Sequence, residues 1–149
     1  MTGPTLSQRR VDRLPGGVGA LLDRVPDDAI DECLRMLTVS VVDIAGIGDR
    51  PAVRDVLDQL HPGQPVSASA VQALTALGAQ FEFDASVAHR AGNLDAQRLR
   101  FRGARAVGCL GYAVGSTAPR ARLADAVYEA AMAMGGSAGV VAVLAEFVP

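Results

Sequence analysis

From residue 30 to residue 44 the apolar side chains fall at Ile30, Cys33, Leu34, Leu37, Val41 and Ile44. This is the 3.6-residue period of an α-helix, not the two-residue alternation of a half-buried strand. The local signals at both ends agree with it. Asp27 or Asp28 can cap the helix behind Pro26, and Asp31 and Glu32 suit its positive N-terminal dipole. Gly46 and Gly48 then stop it.

The same reading applies further along. Asp49 and Pro51 start a second helix, with proline at the first position where no N–H is needed. It carries Ala52, Val53, Val56, Leu57 and Leu60 and ends at "HPGQP". Ser67 or Ser69 opens a third, with Ala70, Val71, Leu74, Leu77, Phe81, Ala85 and Ala88, and "AGN" breaks it. Asn93 caps a fourth helix, and "STAP" precedes a fifth with Leu123, Val127, Ala131 and Met134. Beyond "GGSAG", the run "VVAVLAEFV" is read as a short helix, since no partner strand is evident.

Half of the side chains are apolar, yet only 4% are aromatic and tryptophan is absent. A core made of Ala, Val and Leu favours closely packed helices over a β-sandwich. At 149 residues the chain has the size of one domain. The expectation is an all-α, single-domain antiparallel bundle of five to six helices over residues 17–149. A flexible tail, residues 1–16, would precede it and end at "LPGG".

The stretch "FRGARAVGCLGYAVGSTAPR" within the fourth helix is rich in glycine, which costs about 1 kcal/mol per helical position relative to alanine. On a helical wheel Leu99, Ala106, Leu110 and Val114 share one side, and Arg98, Arg102 and Arg105 share another. Ala104, Gly108, Gly111 and Gly115 form a third stripe, expected as a smooth ridge for a neighbouring helix and a mark of the central helix. "GYAVGST" resembles the end of a phosphate loop, but such a loop needs a lysine and the chain has none. That absence also excludes a lysine nucleophile or Schiff base.

Other candidate chemistry is sparse. Glu82, Ser86 and His89 lie along one helix edge, with the residue types of an orienter, a nucleophile and a base. Three side chains leaving one helix seldom assemble as a triad, so a polar edge is the plainer expectation. Cys33, His61, His89 and Cys109 are the right types for zinc, but none of their spacings is local, and no Glu-x-x-His pair exists for a di-iron bundle. No cofactor or metal is expected. Two distant cysteines suit reduced, buried thiols in a cytoplasmic protein. Asp12, Arg13, Asp23 and Arg24 interrupt what would otherwise resemble an export signal, and no run reaches the roughly 20 apolar residues of a membrane span.

Charge is unevenly spread. Residues 90–122 hold seven arginines and one aspartate, whereas both flanking regions are net acidic. Arg98, Arg100, Arg102 and Arg105 are expected to pair with acidic helices of the same bundle, or with a partner. Nucleic acid is the weaker reading, because the stripe lacks interleaved aromatics apart from Phe101.

The run from Asp31 to Gln80, with Cys33 in an early helix, "DRPAVRDVLDQL" from Asp49 and an Ala-rich third helix, is similar to the all-helical immunity proteins of bacterial polymorphic toxin systems. "ARAVGCLGYAVG" ahead of a helix bearing Tyr128 extends the resemblance, which departs from the family pattern at Cys109, Leu110 and Gly115. The resemblance implies stoichiometric neutralisation of a cognate toxin without catalysis. On that reading Asp27, Asp31, Asp55 and Asp58 could face a basic partner, and Arg98, Arg102 and Arg105 an acidic one. A complex subunit or a second copy of the chain would serve the same surfaces. The alternative is a small helical enzyme or ligand-binding subunit with a pocket near the glycines and Glu82, Ser86 or His89.

Overall fold

In the computed structural model, which describes residues 9–149, every regular element is helical. Among the described residues the α-helices are α1 (Val18–Asp23), α2 (Ile30–Ala45), α3 (Pro51–Gln59), α4 (Ala68–Arg90), α5 (Leu94–Ala113), α6 (Pro119–Met134) and α7 (Ala138–Ala145). Short 3-10 turns at Arg10–Arg13 and Asp27–Ala29 precede α1 and α2. The described residues form seven α-helices, not five to six, because "VGALLD" forms a helix of its own. "AGVVAVLA" is a helix and not a strand.

Some local signals act where their chemistry places them, but neither Asp27 nor Asp28 caps α2: its N-cap is Ala29, without a side-chain hydrogen bond, and the two aspartates lie in the preceding 3-10 turn. The Ser67 hydroxyl accepts from the Ala70 N–H at 3.2 Å and the Asn93 side chain from the Ala96 N–H at 3.1 Å, which caps α4 and α5. Pro51 and Pro119 occupy first-turn positions. Gly46 and Gly135, at φ of +68° and +75°, close α2 and α6 in the left-handed conformation open to glycine.

α6 packs against more elements than α5 does, while α5 lies between α6 and α4. The buried residues of α6 cover about half of its circumference: Leu123, Ala124, Ala126, Val127, Ala130, Ala131 and Ala133. It touches α5, α2, α7, α1 and the Arg10–Arg13 turn. Alanine keeps neighbouring axes close, so many weak dispersion contacts replace the bulk that aromatic residues would supply.

The α4–α5 pair lies to one side. Gly78 faces Val107, Phe81 faces Gly103, and His89 meets Gln97. One partner's number falls as the other's rises, so these two helices run antiparallel. A Cβ on Gly78 would lie 3.0 Å from the Val107 side chain, and one on Gly103 would lie 3.3 Å from the Phe81 ring. The expected glycine ridge is arranged differently. Gly108 lies against the Glu129 side chain, Gly111 faces open space, and Gly115 falls beyond the end of α5. The close approaches between α4 and α5 are made at Gly78 and Gly103.

Residues 1–8 of the expected tail lie outside the described residues. From Arg9 to Gly16, Val11 is buried and Leu14 packs against the core, and the Arg9 guanidinium bridges Asp12 and Asp23 at 2.9–3.1 Å. Two expected stripe positions, Ile44 (56%) and Leu99 (59%), are exposed.

Gly111→Ala is expected to stabilise the protein by about 0.5 kcal/mol, because it gains helix propensity in open space. Gly103→Ala is expected to lose that gain against the Phe81 ring. Urea denaturation of both variants checks the contrast, and a destabilised Gly111→Ala would contradict the assignment.

Candidate functional site

Glu129 sits on α6 with only 6% of its surface exposed, the one buried charged side chain among the described residues. Arg105 of α5 donates to both of its carboxylate oxygens, at 3.3 and 3.1 Å. Arg10 donates to Oε1 at 3.3 Å, to the Tyr112 hydroxyl at 3.1 Å and to Asp125 at 3.4 Å. Its guanidinium also lies over the Tyr128 ring, 4.6 Å from the centroid, while Arg105 lies over Phe101 at 4.9 Å. Burial alone would lower the Arg10 guanidinium, but Tyr112, Asp125 and Glu129 together raise it. The carboxylate is thus fully engaged by two cations on different elements. The arrangement clamps the N-terminal turn and α5 onto α6 and presents no free general base. Sequence reading missed it, since Arg10 and Glu129 are 119 positions apart.

The polar edge on α4 does not assemble. Glu82, Ser86 and His89 are all exposed, and no hydrogen bond joins them; His89 Nδ1 instead lies 3.2 Å from Gln97 Oε1. No nucleophile–base pair exists there. His61 is also exposed, the two thiols are buried, and no group of three or more potential metal ligands converges among the described residues. Burial pushes the Cys33 thiol up to about 11 and, with help from the Glu129 charge, raises Cys109 further.

The charged candidates divide. Arg105 is spent on Glu129, whereas Arg98 and Arg102 are exposed and have no acidic partner among the described residues. Intramolecular pairing therefore accounts for Arg105 and not for the rest of the stripe. Asp27 pairs with Arg120 at 2.6 Å, Asp55 accepts from Gln59 at 3.0 Å, and Asp31 and Asp58 are exposed without an ion pair.

Exposed apolar side chains also stand on α4 and α5. Although α4 is the longest helix, it buries only Ala70, Leu74 and Phe81 and has no charged residue from Ala68 to Phe81. Phe83 (64% exposed) and Val87 stand on its outer face, while Leu94, Leu99 and Phe101 are exposed on α5.

A separate cleft of about 520 Å³ opens between the start of α2, the loop from Leu60 to Val66 and the loop that joins α5 to α6. Gly115 and Ser116 of the glycine-rich stretch line it, together with Arg35 and Arg122. The cleft draws on segments far apart in sequence, so no local pattern announces it.

Comparison with protein-family models, with curated proteins and with solved structures gave no match.

Glu129→Gln is expected to cost about 2 kcal/mol, the order of a charge-assisted hydrogen bond, because both guanidinium groups lose their anion. Thermal denaturation checks it, and an unchanged Tm would contradict the clamp. Both thiols are expected to resist a disulfide reagent at pH 8 in the native protein and to react fully in denaturant. The raised thiol values set the sign of the pH dependence. Stability is retained below the ordinary thiol value of about 8.5. It falls above that value, as the unfolded chain ionises first, until the folded Cys33 titrates near 11.

Proposed function

We propose that this single-domain antiparallel bundle is a non-enzymatic protein-binding module, and that its concrete role is neutralisation of a cognate bacterial toxin in the cytoplasm. The observation that carries the reading is the set of exposed apolar and arginine side chains on α4 and α5. Phe83, Val87, Leu94, Leu99 and Phe101 are exposed close in sequence to Arg98 and Arg102, which lack internal partners among the described residues. Apolar anchors and arginine are enriched at interface centres. Exposed arginines would steer an acidic partner surface and set its orientation. The exposed acids Asp31, Asp55 and Asp58 stand on other helices and offer a second contact surface of opposite sign.

Support for a binding role also comes from what Glu82, Ser86 and His89 do. They stand apart on an exposed edge, and the one buried carboxylate is held by two guanidinium groups. The resemblance to immunity proteins names the class of partner, a protein toxin bound in stoichiometric amount.

Co-expression with the product of the gene that neighbours this one, as the candidate toxin, tests the reading. The wild type is expected to restore growth and to co-purify with the toxin. The double variant Arg98→Glu/Arg102→Glu, and separately Phe83→Asp, should lose both while the circular dichroism spectrum stays unchanged. Undiminished co-purification by both variants would overturn the assignment of this surface.

A further inference from the structure

We propose that the cleft between α2, the α3–α4 loop and the α5–α6 loop is a binding site for a small amphipathic carboxylate, independent of the protein-binding surface on α4 and α5. Its volume, about 520 Å³, lies within the range of about 300–1,000 Å³ typical of small-molecule sites. Leu34, Leu60, Val66, Val114 and Pro119 supply apolar wall. Pro62 and Pro65 stiffen the loop that forms one side, and Gly63 turns it at φ +75°. A stiff wall lowers the ordering cost of binding.

The polar groups are few and held in place. Arg122 donates from Nε to the Thr117 carbonyl at 2.9 Å and from Nη1 to the Ala113 carbonyl at 3.0 Å. Those bonds fix the guanidinium plane and leave Nη2 with its two N–H groups for a ligand. No carboxylate pairs with Arg122 among the described residues, so its charge awaits an anion. Arg35 is held in the same manner: Nε and Nη2 grip the Glu32 carboxylate at 3.1 and 2.8 Å, and Nη1 stays free. Glu32 already balances the Arg35 charge, which makes Arg35 a donor more than a net cation. The start of α6, where Ala118 offers no side-chain cap, adds positive potential at the same edge.

Asp31 and His61 complete the rim. The exposed Asp31 carboxylate disfavours a doubly charged anion, so one uncompensated guanidinium beside one carboxylate suits a monoanion. The planar fork of Arg122 matches a carboxylate, and the apolar walls suit a short hydrocarbon tail.

Chemical-shift titration of the full chain with hexanoate, acetate and inorganic phosphate tests the proposal. Hexanoate is expected to shift amides of residues 60–66 and 113–122 saturably at millimolar concentration. Acetate, without the tail, and phosphate, with the extra charge, should bind at least about tenfold more weakly, a difference of about 1.4 kcal/mol. Arg122→Gln should abolish saturation. Because that substitution also removes bonds to the α5–α6 loop, Val66→Glu on the opposite wall provides a second variant, and it should weaken hexanoate about tenfold. Absence of saturable shifts with hexanoate would overturn the proposal. So would equal binding of phosphate, or full retention of hexanoate binding by both variants.

Discussion

The close approach of helices around α6 is the constraint on which the rest of the molecule depends. Ala124, Ala126, Ala130, Ala131 and Ala133 are all buried there, and neighbours meet this helix on several sides. With small side chains at the centre, the gaps must be filled by short distances instead of large rings. Leu22, Leu37, Leu110, Leu123 and Leu144 then supply the larger buried volumes from five different helices. A larger residue in the alanine set would push several elements apart at once, because well-packed interiors do not absorb added volume locally.

Glu129 is the polar counterpart of that packing. A buried carboxylate is costly in isolation, and ion pairs at such positions are often no better than apolar contacts in stability. What this one supplies is specificity of place. Both oxygens are engaged, by cations from the N-terminal turn and from α5, and Gly108 leaves room for the side chain to lie flat against α5. One residue on α6 thereby fixes the register of a neighbouring helix and the position of a distant segment. The rings of Tyr112, Tyr128 and Phe101, a large part of the small aromatic content, are gathered around the same two guanidinium groups.

Much of the local chemistry was legible in the sequence because its partners were local, although the cap expected from Asp27 or Asp28 on α2 is not made. The cap at Asn93, the first-turn prolines and the stop at Gly46 need only a few neighbouring residues, and each stands where the pattern placed it. Ile44 and Leu99 show the limit of that reading. Each lies on the correct stripe, but a stripe marks a face and not how far a neighbour extends along it, and both are exposed. The glycines show it too: spacing grouped Gly108, Gly111 and Gly115, while the ring that demands a missing side chain stands opposite Gly103. The Glu129 clamp and the cleft beside Arg122 are assembled from segments distant in sequence. No window of residues contains either of them.

The molecule thus divides into a well-covered centre on α6 and a long outer helix, α4, that shows most of its surface to solvent. Along α4 the stretch from Ala68 to Phe81 carries no charge, and beyond it Phe83 and Val87 are exposed among Glu82, Asp84 and Arg90. Native-state hydrogen exchange on the isolated protein tests this division most directly, since protection follows burial and local contact density. The amides of α6 from Leu123 to Ala133 are expected to exchange last, through global unfolding, and those of α4 from Ala73 to Val87 substantially earlier. Equal protection of the two helices would contradict the account, because α4 would then be as firmly held as the centre.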